Sequence, residues 1–258
     1  MKTTTRSAMS LLTAVVCLVL AQVGEAAISD FDGDRIAYWK LDQIDVSNNT
    51  PEEVSSYTTS VETGDADAVT VTSPGKVDDA FGFTGNGADR VKTDGIVPVG
   101  TSFSVSAWVR VDDIGALAPY HRIVENSYQT SFFLGDNAGD KYTFIVNAND
   151  NGLFQLAGPA MDPSTNWVHV AGTYDSSNTT AKLYVNNVLE DTDTNTVAPE
   201  LTFLNVSIGS SGSVGDCWDG DIDEVRIYDR ALTAGEIDDL YNNITGAPAP
   251  PALSVTIY

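Results

Sequence analysis

Cysteine is almost absent from this 258-residue chain: it has two, Cys17 and Cys217. Cys17 falls inside an N-terminal apolar run, so a processed form keeps one thiol and cannot be stapled internally. Stability must then come from a packed core or a bound ion. Histidine is equally scarce, and neither His121 nor His169 sits in a recognisable active-site motif. Cys217 therefore reads as a half-buried strand-edge thiol and not as a nucleophile. Basic residues are few, 13 Lys and Arg against 36 Asp and Glu, giving a formal net charge of −23. Such a surface repels nucleic acid and anionic membranes. It suits a salty or calcium-rich exterior, where counterions screen self-repulsion. Beyond the first 26 residues no segment is long and apolar enough to span a bilayer.

Those first residues have their own logic. Lys2 and Arg6 form a positive start, residues 8–20 are apolar and uncharged, and Gly24-Glu25-Ala26 places small residues ahead of a cut before Ala27. Residues 1–26 read as a secretory signal peptide, and the protein as secreted, extracellular or at the cell surface. Cys17 follows Val16 and does not resemble a lipoprotein acylation site. Removing this leader takes away two bases and one acid, leaving the remainder one unit more negative.

After the leader the pattern is β almost throughout, with short alternating runs between turn residues. Strands are expected at 35–41, 80–84, 90–93, 122–125, 131–134, 142–147, 167–174, 181–185 and 206–209. Gly85-Asn86-Gly87 marks a hairpin-like turn between the second and third of these. The cleanest half-buried strand spans 102–111, where Phe103, Val105, Ala107, Val109 and Val111 alternate with Ser102, Ser104, Ser106, Trp108 and Arg110.

The most informative stretch is 218–241, WDGDIDEVRIYDRALTAGEIDDLY. Regular alternation puts Ile222, Glu224, Arg226 and Tyr228 on one face of its strand and Asp223, Val225 and Ile227 on the other. Either face carries a carboxylate, and a buried carboxylate needs a metal, a cation or several donors. The one convincing helix follows at 233–242. Thr233 and Glu236 form a capping box at its start, and Leu232, Ile237, Leu240 and Tyr241 make a stripe suited to docking on a sheet.

Seven pieces occur in order: AYWKLD, AFGFTGNGADRV, FSVSAWVRVDD, WVHVAGTYD, AKLYVNNVLED, SIGS and DGDIDEVRIYDRALTAGEI. In this order the chain resembles the LamG-like (laminin G, concanavalin A-like) domains. The resemblance implies an all-β fold, a two-sheet antiparallel jelly-roll β-sandwich with one short C-terminal helix, over residues 27–245. Residues 246–258 form a Pro/Ala-rich C-terminal tail, either a remnant of a sorting or assembly segment or a disordered end. The resemblance also implies a Ca2+ site at the rim, pairing Asp42 after the first strand with Asp223, with Asp45, Ser47 and Asn48 as further oxygen donors. The alternative is that Asp223 pairs with Arg226 or Arg230 and Asp45 lies in a solvated loop. A second acid cluster, Asp30, Asp32 and Asp34, starts like an EF-hand loop but lacks the terminal Glu.

Two chemistries compete for function. Asp219, Asp221 and Glu224 follow the spacing of the Glu-x-Asp-x-x-Glu motif that laminarinase-type glycosidases of related fold use, with Asp in the first place. A retaining mechanism needs two carboxyls about 5–5.5 Å apart, and Glu224 would need a bulge to join the others. The segment also runs straight into the helix of the LamG-like ending. The preferred expectation is a non-catalytic binding module, a lectin recognising a glycan or an extracellular protein; the rivals are a glycoside hydrolase and a structural surface component. Sugar sites combine flat rings with amides and carboxylates. Trp39, Trp108, Trp167 and Trp218 fall where the family has aromatics, which favours structural roles. Trp108 is the ambiguous one, since it either lies under a loop or lines a concave binding face. Tyr120, His121 and Tyr128, in the irregular stretch 115–129, complete the candidate ligand-binding set. His169 is read as structural.

Overall fold

The computed structural model describes residues 34–44, 57–62, 69–85, 89–93, 95, 97, 100–113, 120–127, 130–147, 153–164, 166–213 and 216–242. The leader, Asp45, Tyr128 and the tail lie outside the described residues. In chain order the strands are β1 (Arg35–Trp39), β2 (Thr59–Glu62), β3 (Thr70–Thr72), β4 (Ala80–Thr84), β5 (Arg90–Thr93), β6 (Phe103–Val111), β7 (Tyr120–Asn126) and β8 (Phe132–Asn137). They continue with β9 (Lys141–Val146), β10 (Phe154–Ala160), β11 (Val168–Asp175), β12 (Thr180–Val185), β13 (Val188–Thr194), β14 (Ser207–Ile208) and β15 (Asp219–Tyr228), followed by helix α1 (Ala234–Asn242).

Two antiparallel sheets result. The eight-stranded sheet runs β13-β12-β11-β6-β15-β4-β3, with β1 on the second half of β15. The seven-stranded sheet runs β10-β9-β8-β7-β14-β5-β2. Their inner faces enclose one core, with Phe103 set 5.2 Å from Phe132, 6.2 Å from Phe144 and 5.8 Å from Tyr174 between ring centroids. Gly172 makes room for this cluster, because a Cβ there would lie 2.4 Å from the Phe144 ring.

The expected β4–β5 hairpin does not form. β4 pairs with β3 and β15, whereas β5 pairs with β14 and β2 in the other sheet. Phe81, Phe83 and Val91 all enter the core, so the chain here crosses between layers instead of folding back beside itself. Strands β2, β3, β10 and β13 are additional to the expected set, although β2 and the first half of β10 alternate in burial. In β13 nearly every side chain is exposed, and β10 holds Gly158 and Pro159 near its end.

Helix α1 adds a third layer. Leu232, Ile237 and Leu240 pack with Ala171, Tyr184 and Tyr228 on the outer face of the larger sheet. Its start is the expected box: the Thr233 backbone N–H donates to Glu236 Oε2 at 2.7 Å and the Glu236 N–H to Thr233 Oγ1 at 3.3 Å. Ser104 Oγ ties the approach to the sheet, donating to Arg230 O and accepting from the Leu232 N–H, both at 2.8 Å. β6 is therefore buried on both faces, not half-buried as its alternation suggests.

β15 departs from regular alternation at one residue. Asp223 pairs with Trp108, but the next paired residue is Arg226, opposite Ser106. The extra residue is a β-bulge, with Glu224 at φ 55°. Ile222, Val225 and Ile227 thereby all reach the inter-sheet core, and neither Asp223 nor Glu224 enters it.

Candidate functional site

The bulge decides what the acids of β15 can do. Glu224 is buried on the outer side, where Tyr38 Oη donates to both its carboxylate oxygens at 2.8 Å and Arg226 Nη2 pairs with Oε2. Burial and then the Glu224 charge outweigh Arg226 and drive the Tyr38 hydroxyl well above its usual range. Asp221, farther up the strand, accepts from Arg110 Nε at 2.7 Å and from Thr72 Oγ1 at 2.8 Å. Asp219 is pushed up to about 6 by burial and by the charges of Asp112 and Asp113. The three acids of the glycosidase-like spacing thus serve three separate environments. The bulge that Glu224 needed is present, yet it turns Glu224 into a buried pair with Arg226 and not toward Asp219.

Asp223 is different. Its Oδ2 accepts the backbone N–H groups of Lys76 at 2.8 Å and Val77 at 3.0 Å, while Oδ1 is buried with no hydrogen-bond partner among the described residues. Burial pushes this carboxyl up to about 8, with Glu224 and Asp42 adding to the rise. Asp42 approaches the same β3–β4 loop and accepts the Asp79 N–H at 3.2 Å. Its own pKa is raised, first by burial. Two of the three expected metal ligands therefore accept from one loop, at Lys76, Val77 and Asp79, and Asp223 Oδ1 stays buried and unbonded among the described residues. Carboxylate oxygens are the donor type that Ca2+ takes, and the ion needs several more of them than these two side chains supply. The described residues contain no group of three or more His, Cys, Asp or Glu side chains that could hold a metal ion, and Asp45 lies outside them. Asp34 is engaged elsewhere, accepting from Arg230 Nε at 2.6 Å.

Of the expected ligand-binding residues, Trp108 is a packing residue. It is 2% exposed, stacked on Tyr241 at 5.5 Å, tilted against His169 at 5.1 Å and covered by Lys76 Nζ 3.7 Å from its ring. It lies under the helix and a loop. His169 opposite it is fully buried and pushed down to about 3 by burial, Arg226 and Lys76, consistent with the structural reading. His121 is also buried, its Nδ1 3.4 Å from Asp136 Oδ2 and its ring edge-on to Trp218. Only Tyr120 presents a ring to solvent, at 37% exposure; Tyr128 lies outside the described residues. Cys217 is buried beside Ser210, deeper than the half-buried position expected.

A groove that the sequence did not announce lies beside Tyr120, on the outer face of the smaller sheet. The pairing registers set one cross-strand row there, Lys92 on β5, Ser207 on β14, Glu125 on β7 and Phe133 on β8. Strand β14 is two residues long and gives that face only the small Ser207, so the sheet is troughed between Lys92 and Glu125. The resulting cavity has a volume of about 460 Å³, and Arg90, Arg122, Asn205, Ser211 and Asp216 are among its other polar lining residues. Arg122 is held rigidly, its guanidinium 4.1 Å from the Phe133 centroid, with Nε 3.3 Å from Glu125 and Nη2 3.3 Å from Asp216. Burial raises the pKa of Glu125 against the pull of Arg122. Among so few bases, the alternation of Arg90 with Lys92 and the placement of Arg122 were the available signals, but they point to a shared trough only once β14 is known to separate their strands.

No helix among the described residues is long and apolar enough to cross a membrane. Comparison with curated protein sequences finds no significant match. Among solved structures, domain 4 of AbnA, an extracellular GH43 arabinanase of Geobacillus stearothermophilus in complex with arabinotriose, superimposes with a TM-score of 0.62 at 19% identity, covering 81% of this chain and 98% of that one. The binding domain of botulinum neurotoxin DC in complex with SialylT gives 0.61 at 18% identity, covering 85% and 53%. A type C botulinum neurotoxin structure, whose cell entry depends on two ganglioside molecules, gives 0.60 at 20% identity, covering 83% and 52%. The chain spans about half of these neurotoxin chains. At such identities the likeness is one of fold, and it matches the jelly-roll sandwich described above. A family model matches residues 84–238, from the end of β4 into α1, and with the bulged β15 and the capped start of the helix both inside that span the chain belongs to the concanavalin A-like lectin/glucanases superfamily.

Proposed function

We propose that this protein is a secreted, non-catalytic carbohydrate-binding module whose ligand lies in the groove between β5 and β7. The observation that carries this reading is the groove itself: hydroxyls of Ser207 and Ser211, the amide of Asn205 and charged groups fixed in register, beside an exposed tyrosine. Sugar hydroxyls are bound by such convergent polar groups, and sugar faces by such rings. The solved relatives with arabinotriose and with SialylT support the ligand class, and the separation of Asp219, Asp221 and Glu224 favours binding over hydrolysis. The leader-like residues 1–26 support export, and residues 27–245 are taken as the folded module.

A calcium ion at the rim is part of the proposal. Asp42 and Asp223 would hold it, with Asp45 a further candidate. The ion would supply the positive charge that Asp223 Oδ1 lacks and would fasten the β3–β4 loop to the sheet.

The test is a glycan array probed with the purified chain, followed by titration of the best ligand against the parent and Ser207→Val. Binding that the valine weakens at least tenfold, with unchanged melting temperature, is expected. Binding unaffected by the valine would place the ligand elsewhere, and silence across the array would favour a protein ligand or a structural role.

A further inference from the structure

The composition of the groove narrows its ligand. Of the 13 basic residues in the chain, three line this one trough, Arg90, Lys92 and Arg122, against two carboxylates, Glu125 and Asp216. In a chain whose sum is −23, a lining with one more base than acid stands out from its surroundings. Each of the three bases is held by neighbours. Arg90 donates through Nη1 to Ser211 O at 2.7 Å and through Nε to Glu62 Oε2 at 2.8 Å. Lys92 Nζ lies 3.3 Å from the same carboxylate. Arg122 lies flat on Phe133.

We infer that the groove takes an anionic glycan, one whose sugar carries a carboxylate or a sulfate ester. The inference rests on the carbohydrate reading and specifies its ligand. A neutral sugar hydroxyl can also accept from these cations, but it brings no charge of its own to offset their desolvation. An anion repays that cost, because charge-assisted hydrogen bonds to Arg and Lys are about twice as strong as neutral ones. Lys92 is the entry point: it keeps 31% of its side chain exposed, and its carboxylate neighbour Glu62 is 42% exposed and lies outside the groove lining. The anionic group of the sugar competes with Glu62 for Lys92 and Arg90 at the mouth, while the ring hydroxyls reach Ser207 and Asn205. Arg122 lies deeper, at 6% side-chain exposure, and sets the positive potential of the floor.

The experiment compares matched polymers by affinity electrophoresis and calorimetry on the full chain. Polygalacturonate is set against its methyl ester and dextran sulfate against dextran, so that each pair differs in charge and not in backbone. At least one charged polymer is expected to bind tenfold or more tightly than its neutral partner. Lys92→Glu should abolish that preference and Lys92→Arg restore it, both with parental melting temperatures. The carboxylate and sulfate arms separate the two sources of charge. Equal binding of charged and neutral polymers, reduced by Ser207→Val but not by Lys92→Glu, would overturn the anionic inference and leave the carbohydrate reading standing. A charge preference insensitive to Lys92→Glu would overturn the assignment to this groove. Failure of every polymer and of the glycan array would remove both readings together.

Discussion

Asp223 Oδ2 accepts the backbone N–H of Lys76 at 2.8 Å, and through this bond the last strand of the larger sheet holds the β3–β4 loop in place. The same carboxyl has its other oxygen buried and unbonded among the described residues.

That asymmetry predicts a pH signature. The folded pKa is pushed up to about 8 from a reference of 3.8, so between these values the folded protein keeps a proton that the unfolded chain has released. Stability from this group is complete below the unfolded value and is lost as pH rises through the folded one. In chelator, the parent is expected to lose melting temperature from pH 5 to 8.5 more steeply than Asp223→Asn, which cannot titrate. Calcium should reverse the loss, and most strongly at the alkaline end, since a ligand bound only by the folded form raises its stability. Parallel pH curves for parent and variant would contradict the protonation argument. A melting temperature indifferent to calcium at pH 8.5 would contradict the metal site.

The neighbouring acid answers to a different partner. Glu224 and Arg226 are each 1% exposed and paired, with Tyr38 donating to the carboxylate. Arg226→Met would leave Glu224 buried without its cation, and removing one member of a buried pair costs about 3–5 kcal/mol. Tyr38→Phe removes a hydrogen bond to a charged group and should cost about 1.5–3 kcal/mol. Urea denaturation of the three proteins checks the order. Equal losses would mean that Tyr38 and Arg226 are not distinguished by charge.

Much of this fold was legible because the signals were local. Thr233 and Glu236 announce their own cap, and Phe103 to Val111 announce a strand with an inward face. The pairing of Asp42 with Asp223 came from the family resemblance and from no local signal in the sequence. The bulge at Glu224 was not legible, because unbroken alternation looks the same on paper whether or not one residue is extra. It is seen only when Ile222, Val225 and Ile227 are found on one side. Trp108 was ambiguous for a related reason: its polar-looking face lies under α1 and Lys76, which are distant in sequence. The groove was illegible because it depends on the shortness of β14, a length set by pairing and not by any residue.

A tight contact between the two sheets gives a sharper stability test. A Cβ at Gly172 would lie 2.4 Å from the Phe144 ring, and that ring also packs on Phe103. Gly172→Ala must push the sheets apart or tilt the aromatic cluster, and overpacking of this kind costs about 1–3 kcal/mol. Gly172→Ala combined with Phe144→Leu should recover part of that loss. If the single variant is as stable as the parent, the sheets are not in contact at this point.

Two aromatic residues, both candidates on sequence, are expected to separate cleanly. Trp108 is enclosed by Tyr241, His169 and Lys76, and truncating a buried tryptophan costs about 3–5 kcal/mol. Trp108→Ala should therefore lower the melting temperature markedly, while the fraction that remains folded binds ligand with parental affinity. Tyr120 is 37% exposed, its ring 5.8 Å from the guanidinium of Arg122, which lines the groove. Tyr120→Ala should leave melting within a degree or two and weaken glycan binding several-fold, since an exposed ring contributes through contact with the ligand and little through packing. Calorimetric titration with concentrations corrected for the folded fraction distinguishes the two. Should Trp108→Ala lose affinity beyond its folded fraction while Tyr120→Ala keeps it, the binding surface would lie on the helix side of the larger sheet, and the groove between β5 and β7 would have to be abandoned.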